Sequence, residues 1–234
     1  MTDDRSAAWR GRYQPWLDYV NEAARAVDTG RGIPLGPGPE PLWRPAPAAG
    51  GEGAKVVYCA PHPDDESLSG VLALRLSLEA GARVTNVAIT LGSDIAQRAR
   101  RRRELESACR ALGFDLVIPT EPSTASSSAA RAESGFERVN AETRETHPAE
   151  WSAKVESLSG IFDRQPPDVV FAPHVEDFNT THIGTYWLVL DALGSHLERG
   201  GRGPVTLIQT EFWHPLADPN LMVGVSPETL AAML

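Results

Sequence analysis

Short apolar segments alternate with helix-like stretches over residues 55–212, and this alternation predicts an α/β fold. The expected architecture is a mostly parallel, Rossmann-like sheet with helices on both faces, in three α/β/α layers. Two further observations support it. Glycines Gly81 and Gly113 stand where two of the helices should end, and 234 residues at 41% hydrophobic content suffice for one large core.

The elements follow in order. Within residues 6–27, Trp9, Tyr13, Trp16, Leu17, Val20, Ala24 and Val27 recur at near-helical intervals, with Pro15 expected to kink or split the helix. Residues 30–53 are dense in Gly and Pro and read as a strap that Leu42 and Trp43 pin down. The first strand is 55–60, followed by a helix over 66–80. A second strand covers 83–91, a helix 96–112, and a third strand 114–118. Residues 120–148 are polar and aperiodic, which marks a long substrate-side loop or insert. A helix over 149–162, a strand over 168–172, a helix over 181–197 and a last strand over 205–212 complete the series. The domain division expected is 1–54, an N-terminal helix and strap, and 55–234, the α/β domain.

Composition narrows the function. A formal net charge of −9 argues against broad nucleic-acid binding and anionic membranes. No apolar run reaches bilayer length, and the first residues lack the basic-then-apolar order of a secretory signal. Cys59 and Cys109 sit in apolar settings and read as small buried hydrophobes in a reducing compartment. The expectation is a soluble cytoplasmic protein without membrane insertion.

Chemistry concentrates in Pro61-His62-Pro63-Asp64-Asp65-Glu66, delivered by the first strand into a helix. A histidine and two adjacent carboxylates at such a turn can hold a divalent cation and leave one acid free as a base. Acids also cap helices, but a cap accounts for one of them and for neither His62 nor the second. A second polar cluster, Pro173-His174-Val175-Glu176-Asp177-Phe178-Asn179-Thr180-Thr181-His182, follows the strand at 168–172. In parallel sheets ligands sit beyond strand C-termini where the strand order reverses, so both clusters face one crevice if these two strands are neighbours.

Together the clusters resemble the PIG-L/LmbE-like family of zinc-dependent de-N-acetylases, from about Lys55 onward, with Gly92 and the Arg102-Arg103-Glu104 to Leu112-Gly113 stretch also fitting its pattern. The resemblance implies an LmbE-like fold and an N-acetylglucosamine-type substrate. It implies His62, Asp65 and His182 as zinc ligands and Asp64 as general base. Asn179 stands where the family usually places a histidine that stabilises the oxyanion or donates a proton, and Thr181 replaces an aspartate. Two imidazoles and a carboxylate with an open position suit catalytic Zn2+, although another divalent cation can fill such a site.

Asn179 can donate a hydrogen bond but cannot titrate near neutrality, so His214 after the last strand is weighed as a replacement acid against an ordinary surface histidine. Asp177 is expected to orient a ligand imidazole, and His174 to serve structure or line the substrate. Asp94 is a candidate for sugar hydroxyls and Arg98 for an anionic substrate group. The five arginines between positions 98 and 103 otherwise read as a solvated helix, paired with Glu104 and Glu106. His147 and His196 read as surface residues. Ser226-Pro227-Glu228 starts a helix with few residues after it, so either the chain is shortened or that helix docks on a partner subunit of a homo-oligomer.

The leading function is a metal-dependent hydrolase that removes an N-acetyl group from a small-molecule N-acylated amino sugar. The alternatives are a deacylase of a non-sugar natural product and a degenerate, non-catalytic sugar-binding relative.

Overall fold

The structure is a computed structural model and describes residues 3–32, 53–120, 134–226, 229 and 233. The chain forms two compact units, residues 1–37 and 38–234. The first contains α1 (Asp3–Arg31), which continues through Pro15 where the sequence predicts a kink or break. The proline removes one hydrogen-bonded rung without ending the helix. Tyr19, Val20 and Val27 are exposed on it. The expected strap contacts of Leu42 and Trp43 lie outside the described residues.

The second unit is built on five parallel strands in the order β3-β2-β1-β4-β5. They are β1 (Lys55–Ala60), β2 (Arg83–Ala88), β3 (Asp115–Val117), β4 (Val169–Pro173) and β5 (Thr206–Thr210). Their helices are α2 (Asp65–Ser69), α3 (Val71–Ala80), α4 (Arg98–Leu112), α5 (Ala141–Thr146), α6 (Pro148–Arg164) and α7 (Thr180–Glu198).

The strand pleat explains the layers. Successive residues point to opposite faces, and β1 is apolar on both. Val57 and Cys59 join Val170 and Ala172 of β4 in a core with Trp151, Leu158 and Phe162 of α6 and Leu188, Val189 and Ala192 of α7. Val56, Tyr58 and Ala60 face the other side, where Leu74 of α3 and Leu105, Cys109 and Leu112 of α4 pack. Cys59 and Cys109 are both buried and free, on opposite faces of the sheet. Three-layer α/β/α packing is the outcome, as the alternation predicts.

Three local readings are corrected. The helix expected over 66–80 is broken at Gly70 into α2 and α3. Tyr58 Oη donates to the Asp65 carbonyl at 3.0 Å and pairs with the Ser69 hydroxyl, one residue before the break. The stretch expected as a loop over 120–148 contains α5, capped by Asn140, whose Oδ1 accepts from Thr143 N at 2.7 Å; residues 121–133 lie outside the description. His196 is buried and not a surface residue, because its Nδ1 meets Asp163 Oδ1 at 2.5 Å where α7 packs on α6. At the C-terminal side, Ser226 Oγ accepts from Thr229 N at 3.1 Å, the contact of an N-cap. Among the described residues, no helix is long and apolar enough to cross a membrane.

Candidate metal centre

β1 and β4 are neighbours in parallel register, Val57 opposite Val170 and Tyr58 opposite Phe171. From β1 the chain steps outward to β2 and β3, and from β4 to β5, so the strand order reverses between β1 and β4. The two polar clusters therefore leave the sheet side by side at the position where open parallel sheets bind ligands.

Three side chains converge there. His62 Nδ1 lies 3.2 Å from His182 Nε2, and Asp65 Oδ2 lies 3.4 Å from the first and 3.5 Å from the second. Asp65 is 2% exposed and His182 0%. Among the described residues this is the one group of three metal-ligating side chains whose donor atoms all lie within 4.8 Å of one another. Asp65 is held by the turn itself, since its Oδ2 accepts the His62 backbone N–H at 2.8 Å. His182 is oriented from behind: its Nδ1 faces Asp177 Oδ2 at 3.3 Å, and Phe212 packs edge-on against the ring. Nδ1–H donating to Asp177 leaves the Nε2 lone pair aimed at Asp65 and His62. Burial pushes the His182 pKa down against the pull of Asp65 and Asp177, favouring the neutral, ligand-competent ring. Two lone-pair nitrogens and a carboxylate so close together leave a repulsion that one shared proton relieves in part and a divalent cation relieves fully, so the donor set fits a cation.

Asp64, the N-cap of α2, has a left-handed backbone with φ 112°. Such a conformation is costly for a residue with a Cβ. Its N–H donates to Glu66 Oε2 at 3.1 Å, and that bond helps to hold it. The Asp64 side chain faces the cavity, and partial enclosure and then the charge of Asp65 raise its pKa, opposed by Arg101, His62 and His182. Glu66, which the sequence reading treats only as a helix start, is fully buried; its Oε1 has no partner among the described residues, and burial pushes its pKa up to about 7. The signal was available. Glu66 shares a helical face with Gly70, Ala73, Leu74 and Ser77, all buried.

His62, Asp64 and Asp65 open onto a cavity of about 600 Å3. Asn179 and Thr181 line it from the start of α7, and Asp94, Arg98, Phe136 and Trp213 contribute further walls. Asn179 Oδ1 is committed as the α7 N-cap, accepting from Thr181 N at 2.9 Å, so its amide N–H2 is the end left for a ligand. Asp94 caps the turn before α4 through Ala96 N at 3.0 Å. Arg98 is tied to the Gly92 carbonyl at 3.0 Å and to Glu137 at 3.1 Å. Two residues expected near the site stand apart from the cavity lining. His174 is buried and donates from Nε2 to the His214 carbonyl at 2.8 Å, and the His214 ring packs edge-on against Phe178. The residue from that segment that reaches the cavity is Trp213, 62% exposed.

Gly184, on the first turn of α7 beyond His182, fixes the far wall. A Cβ there would come within 2.4 Å of the Asn140 Cα, so only glycine allows α7 to approach the 139–140 backbone this closely.

The family profile described as PIG-L, GlcNAc-PI de-N-acetylase, matches residues 57–193, a span that includes both clusters. Comparison with curated proteins gives no match. Among solved structures, the chain is similar to a conserved protein from Thermus thermophilus, at 22% identity and a TM-score of 0.54, over 77% of this chain and 75% of that one. It is also similar to an N,N'-diacetylchitobiose deacetylase from Pyrococcus horikoshii, at 18% identity and a TM-score of 0.52, over 78% and 69% of the two chains. A deacetylase of the A40926 pseudoaglycone gives 20% identity and a TM-score of 0.52, over 78% and 79%.

Proposed function

The chain belongs to the PIG-L family of de-N-acetylases, and from that premise we propose that it is a zinc-dependent hydrolase releasing acetate, or a related acid, from an N-acylated amino sugar. The observation that carries this reading is the convergence of His62, Asp65 and His182 with Asp64 alongside, at the mouth of one cavity.

In this reading His62 Nδ1, Asp65 Oδ2 and His182 Nε2 hold the cation. When bound, the ion polarises an amide carbonyl and makes water easier to ionise. The chain does the rest. Asp64, whose raised pKa strengthens it as a base, accepts a proton from the attacking water and returns it to the departing amine nitrogen. One C–N bond breaks and one C–O bond forms, so amide and water become carboxylic acid and amine. The Asn179 amide donates a hydrogen bond to the carbonyl oxygen as negative charge grows on it. Asp177 keeps His182 in the tautomer that offers Nε2. This scheme gives His214 no step.

The test combines metal analysis with amine release from N-acetylglucosamine derivatives. One equivalent of zinc with amine release is expected, and Asp64→Asn should keep the metal while lowering turnover by about 10²–10⁴-fold. Folded protein that takes up no divalent cation, or an Asp64→Asn variant at full activity, would overturn the assignment.

A further inference from the structure

We infer that Glu66 is a positioning residue for Asp64: its side chain takes over part of the capping of α2, and this keeps the Asp64 carboxylate turned toward the cavity. The catalytic consequence rests on the reading of Asp64 as the base of a deacylase.

A polar residue at a helix N-cap ordinarily has extended backbone, and its side chain accepts from the N–H of the second or third helical residue. Asn140 and Asn179 do this at the starts of α5 and α7. Asp64 does not. It is the N-cap of α2, yet its side chain makes no cap bond and its φ is 112°. Among the described residues, Arg138 is the one other non-glycine residue with a positive φ. The N–H groups of Ser67 and Leu68 are met by the Asp64 backbone oxygen, at 2.9 and 3.1 Å. The Asp64 N–H is met in turn by Glu66 Oε2 at 3.1 Å. This is half of a capping box, the reach of a first-turn acid back to the N-cap N–H, with the cap's own side chain left out. The carboxylate so released is exposed and lines the cavity beside His62 and Asp65.

The ordinary account of an acid in a first turn is its favourable interaction with the helix dipole. That account needs no burial. Glu66 is fully buried and its Oε1 has no partner among the described residues, a placement that costs stability and that an apolar side chain would avoid. What the acid supplies, and an apolar residue cannot, is the acceptor for the Asp64 N–H. The neighbouring backbone is shaped around it. A Cβ at Gly70 would overlap the Glu66 carbonyl oxygen, and with φ at −77° the backbone there does not itself call for glycine. Asp65 is independent of this contact, because its Oδ2 is held by the His62 N–H. Removing the acceptor therefore leaves the three ligand donors in place. Asp64 is then free to relax to extended N-cap backbone and to swing its carboxylate onto the N–H of Glu66 or Ser67, away from the attacking water.

Glu66→Met removes the acceptor and fills the same buried space, while Glu66→Gln keeps an acceptor without a charge. Per bound zinc, Glu66→Met should lower kcat by about 10²-fold with KM little changed, the scale of loss expected from a misplaced reacting group. Glu66→Gln should restore most of that loss. In the Asp64→Asn background Glu66→Met should lower turnover no further, because residues that act as a unit are not additive. A crystal structure of zinc-loaded Glu66→Met supplies a readout independent of turnover: Asp64 at negative φ, with its carboxylate on the first N–H groups of α2. If that rearrangement occurs in a protein that releases no amine from any acylated sugar, the deacylase reading fails and the exchange of caps stands. Asp64 keeping its positive φ in Glu66→Met, an unchanged kcat, a loss that recurs in the Asp64→Asn background, or loss of the zinc overturns the positioning role. Should Glu66→Met not fold, Gly70→Ala displaces the Glu66 carbonyl instead; it should lower kcat with zinc retained, and an unchanged kcat overturns the role equally.

Discussion

Glu66→Gln isolates the cost of keeping an acid beneath the metal centre. Glu66 is 0% exposed, its Oε1 has no partner among the described residues, and burial raises its pKa from 4.5 to about 7. Between those two values the folded protein retains a proton that the unfolded chain has lost. Stability therefore falls as pH rises through this window and levels off above it. At 1.36 kcal/mol per pH unit the full window is worth about 3 kcal/mol, most of it between pH 5 and pH 8. Glutamine has the same shape, does not ionise, and can still accept the Asp64 N–H. Urea unfolding of metal-stripped wild type and variant at both pH values gives the double difference, from which titrating groups that do not interact with Glu66 cancel. The variant should gain on the wild type by about 2 to 3 kcal/mol on going from pH 5 to pH 8. A divalent cation beside Asp65 favours the ionised form of Glu66, so loading the metal should shrink that gain. Stability differences that are equal at the two pH values would refute the argument.

Asp177→Asn should weaken metal binding by about 10–100-fold, measured by competition with a chromophoric chelator, because the variant no longer enforces the Nδ1–H tautomer of His182. Gly184→Ala should destabilise the fold by about 1–3 kcal/mol in thermal or urea unfolding, since the added methyl meets the Asn140 backbone and not a movable side chain. Neither thiol should react with a disulfide reagent before unfolding: burial raises the pKa of Cys59, and that of Cys109 to about 12.

The fold was legible because a parallel sheet imposes a simple pattern on its sequence. β1 and β4 are covered on both faces, so Val56-Val57-Tyr58-Cys59 and Val169-Val170-Phe171-Ala172 are apolar at every position. What such a pattern omits is events that depend on a distant residue. The helix over 66–80 breaks at Gly70, next to Ser69, whose hydroxyl meets Tyr58 Oη from β1, and no local propensity encodes that contact. His196 has a polar side chain near a helix end, a surface signature, yet Asp163 on α6 draws it inside. The short α5 is announced only by Asn140 as a cap, amid residues without a period.

Within the site, legibility divides along the same line. His62 and Asp65 lie three residues apart on one turn, and Asp177 and His182 five apart on another, so each half is a local constellation that a sequence can display. Joining the halves needed only the order of two strands, which handedness and burial nearly determine. Which arginines of the 98–103 run line the cavity was not legible, because that depends on which side of α4 the cavity occupies. Five arginines in six positions point all round a helix, and only the packing of Leu105, Cys109 and Leu112 against the sheet decides which of them turn toward the metal ligands. The metal-ligating halves are thus written in contiguous motifs, while the make-up of the cavity wall is set by the rotation of a helix.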